Sequence, residues 1–321
     1  RALGQNFLVD TRVRDAIIEA SGVGPGDLVL EIGPGRGALT HMLARRVDVL
    51  VGVEVDPELA ARLRRELADL PHVHIVHADI LSCDIGQIVL ERARGAQGLR
   101  RFMVVANLPY CITTPVLHKL LSASPLFEAF TLMIQLEVAQ KLTATAGSVG
   151  YGELSLMAQY YTRPEILFTV GPTSFAPPPS VQSAVVRMTV SKSPCAGDLD
   201  PGELFAIVRA GFAKRRKNIR NSLVSSTLFG GDHDLVDAVL GRAGLDQRLR
   251  AEQLDLEEFA RLAKAAIAFG AAPATHGRSD EDEKDKEPRR PHVPEDSSQS
   301  PENVAGSLPR LSLHPRPGHL S

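Results

Sequence analysis

The sequence predicts an α/β fold, a mostly parallel sheet wound with helices, followed by a small helical region. Three observations carry the prediction. Short β-branched runs alternate with amphipathic stretches through the first 190 residues, the pattern of strands and crossover helices. A glycine-rich turn joins the first such run to the helical stretch after it. Beyond residue 190 strand-like runs give way to helical spacing.

In chain order, Leu28–Ile32 reads as a buried strand, and Ala38–Val47 as a helix with Leu39, Met42 and Leu43 on one face. Val47–Val55 is a second strand, after which Asp56 caps a helix that has Pro57 in its first position. Val73–Ala78 and Phe102–Ala106 are the third and fourth strands. Pro115 opens a helix, Thr131–Gln135 is a fifth strand, and another helix starts near Glu137. Ile166–Val170 and Ala184–Val190, joined by a proline-rich loop, read as a hairpin closing the sheet. Helical periodicity then runs to about Phe269, punctuated by Gly211, Gly230–Gly231 and Gly244. Residues 271–321 hold 8 of the 22 prolines, no aromatic residue and mixed charges. Such a stretch buries too little apolar surface to offset its ordering entropy and is expected to be disordered. The expected division is 1–190, 191–270 and 271–321.

Composition sets outer limits. The 321 residues are 44% hydrophobic and 23% charged, enough for a sizeable core. Lys and Arg number 36 against 38 acids, a net charge of -2 that speaks against a uniformly basic nucleic-acid binder. Cys83, Cys111 and Cys195 form no CxxC pair, so neither a disulfide framework nor a zinc site is expected, and a reducing cytoplasm fits best. Of these, Cys111 reads as a semi-buried packing residue. No apolar run nears a membrane span, and no signal segment stands at the start. The chain starts at Arg1 without Met, so a short N-terminal stretch is expected to be missing.

Gly33-Pro-Gly35-Arg-Gly37 lies between the first strand and the first helix. Glycines there let the backbone turn tightly and approach a ligand at a helix start. Gly33, Gly35 and Ala38 also satisfy the dinucleotide fingerprint, so a nicotinamide enzyme stays open at this point. Glu54 ends the second strand, where a carboxylate can bind both hydroxyls of a ribose. Asp79 ends the third, where it can accept from an adenine amine. Three such features at successive strand ends point to an adenosine-containing cofactor.

Asn107-Leu-Pro-Tyr110 follows the fourth strand. The Asn107 amide oxygen and the Leu108 carbonyl, held by Pro109, can accept both hydrogens of one –NH2 group. Tyr110 offers a face on which a base stacks. An aromatic amine is a poor nucleophile because its lone pair is delocalised. Accepting both N–H groups favours the pyramidal nitrogen that attacks an electrophilic methyl, and no strong general base is needed.

This motif resembles that of S-adenosylmethionine-dependent amino methyltransferases. With Gly4-Gln-Asn-Phe-Leu8, Glu31-Ile-Gly-Pro-Gly35 and Phe175-Ala-Pro-Pro-Pro-Ser-Val-Gln-Ser-Ala184, in that order, the chain resembles the rRNA adenine N6,N6-dimethyltransferases over about residues 1–270. The resemblance implies a Rossmann-like class I S-adenosylmethionine-dependent methyltransferase fold, a mostly parallel seven-stranded sheet plus a small C-terminal helical domain. It implies that Asn6, Leu8, Gly33, Glu54, Asp79 and Asn107 contact S-adenosylmethionine. It also implies that Phe175 and Tyr110 sandwich a flipped-out adenine, so that these aromatics and the Asn107 and Leu108 acceptors form the catalytic set.

Between Glu203 and Asp232 there is no acid, while Arg209, Lys214, Arg215, Arg216, Lys217 and Arg220 fall there. This is either a solvated helix face or a phosphate-binding stripe, and the missing acids favour RNA. The stretch resembles the C-terminal signature of the housekeeping small-subunit branch of the family, which dimethylates two adjacent adenosines in the terminal hairpin of small-subunit (16S) rRNA within a pre-ribosomal 30S particle. Leu108 and Val181-Gln-Ser-Ala-Val185 favour that branch over the macrolide-resistance enzymes acting on large-subunit (23S) rRNA. Cys111-Ile-Thr-Thr-Pro115 departs from the usual Asn-Ile-Ser-Thr-Pro. A non-catalytic rRNA-binding assembly factor is the remaining alternative, which the intact motif opposes. A monomer is expected.

Overall fold

The computed structural model describes residues 6–96, 98–192, 199–214 and 216–271. Gly4 and Gln5 of the N-terminal motif, Cys195, Arg215 and the tail beyond Ala271 lie outside them. The elements are, in order, β1 (Phe7–Leu8), α1 (Thr11–Ser21), β2 (Asp27–Ile32), α2 (Thr40–Leu43), β3 (Val49–Glu54), α3 (Pro57–Glu66), β4 (Val73–His77), α4 (Ile85–Ala93), β5 (Arg101–Asn107), α5 (Thr113–Ser122), β6 (Ala129–Gln135), α6 (Leu136–Thr143), α7 (Glu153–Tyr161), β7 (Thr162–Val170), β8 (Phe175–Ala176) and β9 (Ser183–Val190). Four helices follow: α8 (Pro201–Phe212), α9 (Ile219–Val224), α10 (His233–Ala243) and α11 (Leu256–Ala268).

Seven strands form one sheet in the order β4-β3-β2-β5-β6-β9-β7. The pairings from β4 through β6 are parallel, and β9 runs antiparallel to both β6 and β7. The expected closing hairpin is therefore present, with β9 inserted between β6 and β7. Every residue of β2 and β3 is buried, as strands covered on both faces require. At the amino-terminal edge Asp27, 1% exposed, takes a two-pronged bond from Arg101 at 2.6 and 2.8 Å.

Local chemistry explains the element boundaries. Asp10, Asp56, Asp84, Asp200, Asn218, Asp232 and Asp255 each cap a helix by accepting a first-turn backbone N–H. The first crossover helix is shorter than expected: only Thr40–Leu43 is α-helical, because the glycine turn extends to Gly37 with φ of +84°. Conversely α5 starts at Thr113, two residues before Pro115, a place in the first turn where proline loses no bond. A pairing with no local signature also appears. Phe7 faces Ala176 and Leu8 faces Phe175 in a two-stranded antiparallel sheet.

The described residues belong to one compact unit, Arg1–Thr275. The change at 190 is thus one of architecture within a continuous packing, since a single apolar cluster runs from Leu30 and Leu132 through Tyr160 to Phe205, Phe259 and Leu262. Gly211 marks no turn. It lies inside α8, where an added Cβ would come within 3.1 Å of both Ile219 and Phe259, so glycine lets three helices meet closely.

Candidate active site

The carboxyl-end turns of β2 and β5 and the N-terminal segment Asn6–Val9 enclose one cleft of about 770 Å³, counting its open mouth. Parallel sheets present such a crevice at their carboxyl edge. Asn6, Leu8, Gly33, Asn107, Leu108 and Tyr110 all line it. Gly33, Gly35 and Gly37 have φ of +65°, +58° and +84°, the left-handed region that side chains resist. At Gly37 a Cβ would also meet His41 and Leu63 at 2.8 Å.

The N-terminal segment closes over this turn. The Phe7 ring lies where a Cβ on Gly35 would meet it at 3.3 Å, and the Arg36 guanidinium sits 4.3 Å from the ring centroid. Val9 N–H donates to the Ser174 carbonyl at 2.9 Å, extending the pairing of β1 with β8.

Two buried carboxyls stand beneath the glycines. Glu54 has no exposed surface, and both its oxygens accept from backbone: Oε2 from Gly35 N–H at 2.8 Å and Oε1 from Asp56 N–H at 3.0 Å. It braces the turn and does not line the cleft. Asp79 is exposed, its Oδ1 accepting from Leu81 N–H at 2.9 Å, and it too stands outside the cleft lining. Glu31 does line the cleft, is 2% exposed, and has no partner for Oε2. Burial pushes its carboxyl up to about 8, with the nearby Glu54 carboxylate adding to the shift. Glu31, Phe7 and Arg36 fall within the sequence motifs, but sequence reasoning assigned them no role of their own. For Glu31 the signal was an acid two residues before the first glycine, at the end of an otherwise apolar strand.

Asn107 ends β5, and Leu108 N–H donates to the Met133 carbonyl on β6 at 3.0 Å. The Leu108 side chain is buried at 1%. The Pro109 carbonyl is consumed by Ile112 N–H and the Thr113 hydroxyl at 3.2 and 3.0 Å. Among the described residues nothing donates to the Leu108 carbonyl or to the Asn107 side chain, so both acceptors stand free where the motif lines the cleft. Tyr110 is half-buried and shares a 2.5 Å hydrogen bond with Ser183, and burial raises its phenol above the usual value.

Phe175 departs from the expected sandwich. It is 4% exposed, sits in an apolar cluster with Leu8, Leu39 and Val185, and does not line the cleft. Its ring packs in that cluster with Leu8, its partner across the β1–β8 pairing. Cys111 is exposed, where a semi-buried residue was expected. Among the described residues no acid, histidine and cysteine cluster suits a metal ion.

Of the six basic residues, Arg220 is held by Asp237 at 2.5 and 2.7 Å, and Arg209 lies 3.8 Å from Glu153. Lys214, Arg216 and Lys217 have no acidic partner among the described residues. Arg215 lies outside them. No helix among the described residues is long and apolar enough to cross a membrane.

The cleft fits S-adenosylmethionine on its own chemistry. An unpartnered buried carboxyl suits an ammonium or hydroxyl donor, the open glycine turn admits a close ligand, and Phe7, Leu8 and Leu39 supply apolar walls.

The family described as "Ribosomal RNA adenine dimethylase" matches residues 1–267. The chain is 42% identical over 272 residues to "Ribosomal RNA small subunit methyltransferase A" of Pelotomaculum thermopropionicum, covering 84% of this chain and 92% of that one. It is 41% identical over 268 residues to the protein of the same name from Bacillus mycoides, covering 83% and 91%. Among solved structures, the 23S rRNA methyltransferase ErmE is similar at 30% identity and a TM-score of 0.59, over 81% of this chain and 99% of that one. A dimethyladenosine transferase from Plasmodium falciparum shares the fold, with a TM-score of 0.69 at 23% identity, over 83% and 99%.

Proposed function

The chain belongs to the ribosomal RNA adenine dimethylase family, and from that premise we propose that it methylates N6 of two adjacent adenosines in the terminal hairpin of small-subunit rRNA. The product is N6,N6-dimethyladenosine, and the substrate is the RNA within an assembling 30S particle in the cytoplasm, met by a monomer. The observation that carries this reading is the pair of free acceptors, the Asn107 amide and the Leu108 carbonyl, beside the half-buried Tyr110 face.

S-adenosylmethionine, when bound, supplies an electrophilic methyl on a sulfonium. Asn6, Leu8, Gly33 and Glu31 hold its amino-acid end, and Glu54 and Asp79 serve its adenosine end, Glu54 through the turn it braces. Asn107 and Leu108 accept the two N6 hydrogens and localise the nitrogen lone pair, which forms the new N–C bond as the S–CH3 bond breaks and its electron pair stays on sulfur, leaving a neutral thioether. Once the nitrogen is cationic its proton leaves to water, so the site needs no dedicated base. Tyr110 stacks the extruded adenine, worth about 1–3 kcal/mol per base. Phe175 supports the loop opposite and reaches the base only if its ring leaves the core. Lys214, Arg216 and Lys217, which have no acidic partner among the described residues, hold phosphates together with Arg215, whereas Arg209 and Arg220 are engaged by Glu153 and Asp237.

The likeness to ErmE favours large-subunit RNA as the second reading. Transfer of tritiated methyl to unmethylated small and large subunits, with modified positions mapped by primer extension, separates the two. Label confined to adjacent adenosines of the small-subunit hairpin is expected; label in large-subunit RNA overturns the reading.

A further inference from the structure

A second recess lies beside the methyl-acceptor motif. It is an open recess of about 570 Å³, counting its mouth, and is lined by Gln135, Leu136, Glu137, Gln140, Val181 and Gln182. Register ties it to the target face. Gln135 pairs with Ser183 across β6 and β9, and the Ser183 hydroxyl is the one bonded to Tyr110. Its wall is fixed by Leu136 N–H, which donates to the Gln182 carbonyl at 3.0 Å.

We propose that this recess is a second base-binding subsite that holds the adenine next to the one being methylated, read by the side-chain amides of Gln135, Gln140 and Gln182. The inference rests on the reading of the chain as an adenosine N6 methyltransferase. Each glutamine presents a donor and an acceptor side by side, the complement of adenine's N6–H and N7. None of the three amides has a partner among the described residues. The lining also excludes a phosphate: its single charged side chain is Glu137, whose carboxylate is taken by Lys141 at 2.7 Å, and it holds no cation. Leu136 and Val181, the latter 41% exposed, give the apolar contact a base face needs.

The chemistry has a built-in asymmetry. An unmethylated neighbour offers N6–H to a glutamine oxygen, whereas a dimethylated one has no N6 hydrogen left. The subsite therefore grips the first-encountered pair more firmly than a half-finished one.

The test uses the full chain and small-subunit particles carrying either the native adjacent adenosines or purine riboside, which lacks the amino group, at the neighbouring position. On native particles Gln135→Leu and Gln182→Leu are expected to lower kcat/KM roughly tenfold each, while affinity for S-adenosylmethionine and Tm stay at the wild-type values. On purine-riboside particles the wild-type enzyme should already show the loss, and the substitutions should add little. Equal losses on both particles, or no loss on either, overturns the subsite. Failure of the wild-type enzyme to methylate native particles would instead overturn the proposed function, so the two are told apart.

Discussion

Removing the Asn107 side chain is expected to separate chemistry from binding. Asn107→Ala deletes one of the two acceptors for the amine but leaves the glycine turn, Glu31 and the N-terminal segment in place. Turnover is expected to fall about 100-fold or more, the usual cost of losing one preorganised polar group, with cofactor affinity changed only a few-fold in a titration. Near-normal turnover would remove Asn107 from the mechanism. Glu31 makes a prediction in pH. Its folded value, about 8, lies above the ordinary 4.5, so the native state binds this proton more tightly than the unfolded chain. That contribution is complete below about pH 4.5 and is lost as pH rises through 8, a swing on the order of 5 kcal/mol at most. Glu31→Gln should therefore gain stability over the wild type from pH 5 to pH 9 in thermal melts without cofactor. Parallel melting curves for the two proteins would refute the assignment. Phe175→Ala removes a buried ring, so a stability loss of about 3–5 kcal/mol is expected, and any effect on RNA affinity must be read after that correction.

At the scale of elements, Lys119 joins two parts of the site. It projects from α5, which follows the acceptor motif, and its ammonium donates to the Leu81 carbonyl at 2.8 Å and to the Cys83 carbonyl, both in the loop that begins at Asp79. Lys119→Met should leave two partly buried carbonyls unserved, lowering stability by about 1–3 kcal/mol and weakening cofactor binding in a titration. Unchanged affinity would confine the lysine to stability. These elements differ in how visible they were beforehand. The five parallel strands and their helices were legible because β-branched runs, the glycine turn and the Asp56-Pro57 cap are local signals. The pairing of β1 with β8 was not, since two residues carry no periodicity and their register is set by a chain segment some 170 positions away. The surroundings of Phe175 were hidden for the same reason: a motif names the residue, and only tertiary packing puts its ring with Leu8 and Val185 in the core. Glu54 was visible as an acid at a strand end, but its bonds to the Gly35 and Asp56 amides depend on how the turn folds back.

For the whole molecule, charge is distributed by neighbourhood. A window free of acids in sequence gains two in space, because Asp237 reaches Arg220 from α10 and Glu153 approaches Arg209 from α7. Among the described residues of this window, the cations without an acidic partner are Lys214, Arg216 and Lys217. Lys217→Glu should weaken RNA binding across sequences and reduce the salt-dependence slope by about one unit per lost phosphate contact, measured as log Kd against log salt. Arg220→Gln should instead show its main effect in thermal stability, and a salt slope altered as much as for Lys217→Glu would contradict that division. The antiparallel contact of Phe7–Leu8 with Phe175–Ala176 reaches further than packing. One of these segments lines the cofactor cleft, and the other leads into the stretch that ends at Ser183, whose hydroxyl is bonded to Tyr110. Whatever free energy one ligand spends in fixing this pair is spared to the other. Linkage makes the exchange symmetrical, so the factor by which cofactor tightens RNA must equal the factor by which RNA tightens cofactor. Coupling through this four-residue ladder would be read as an RNA Kd that is lower at saturating S-adenosylmethionine than without it.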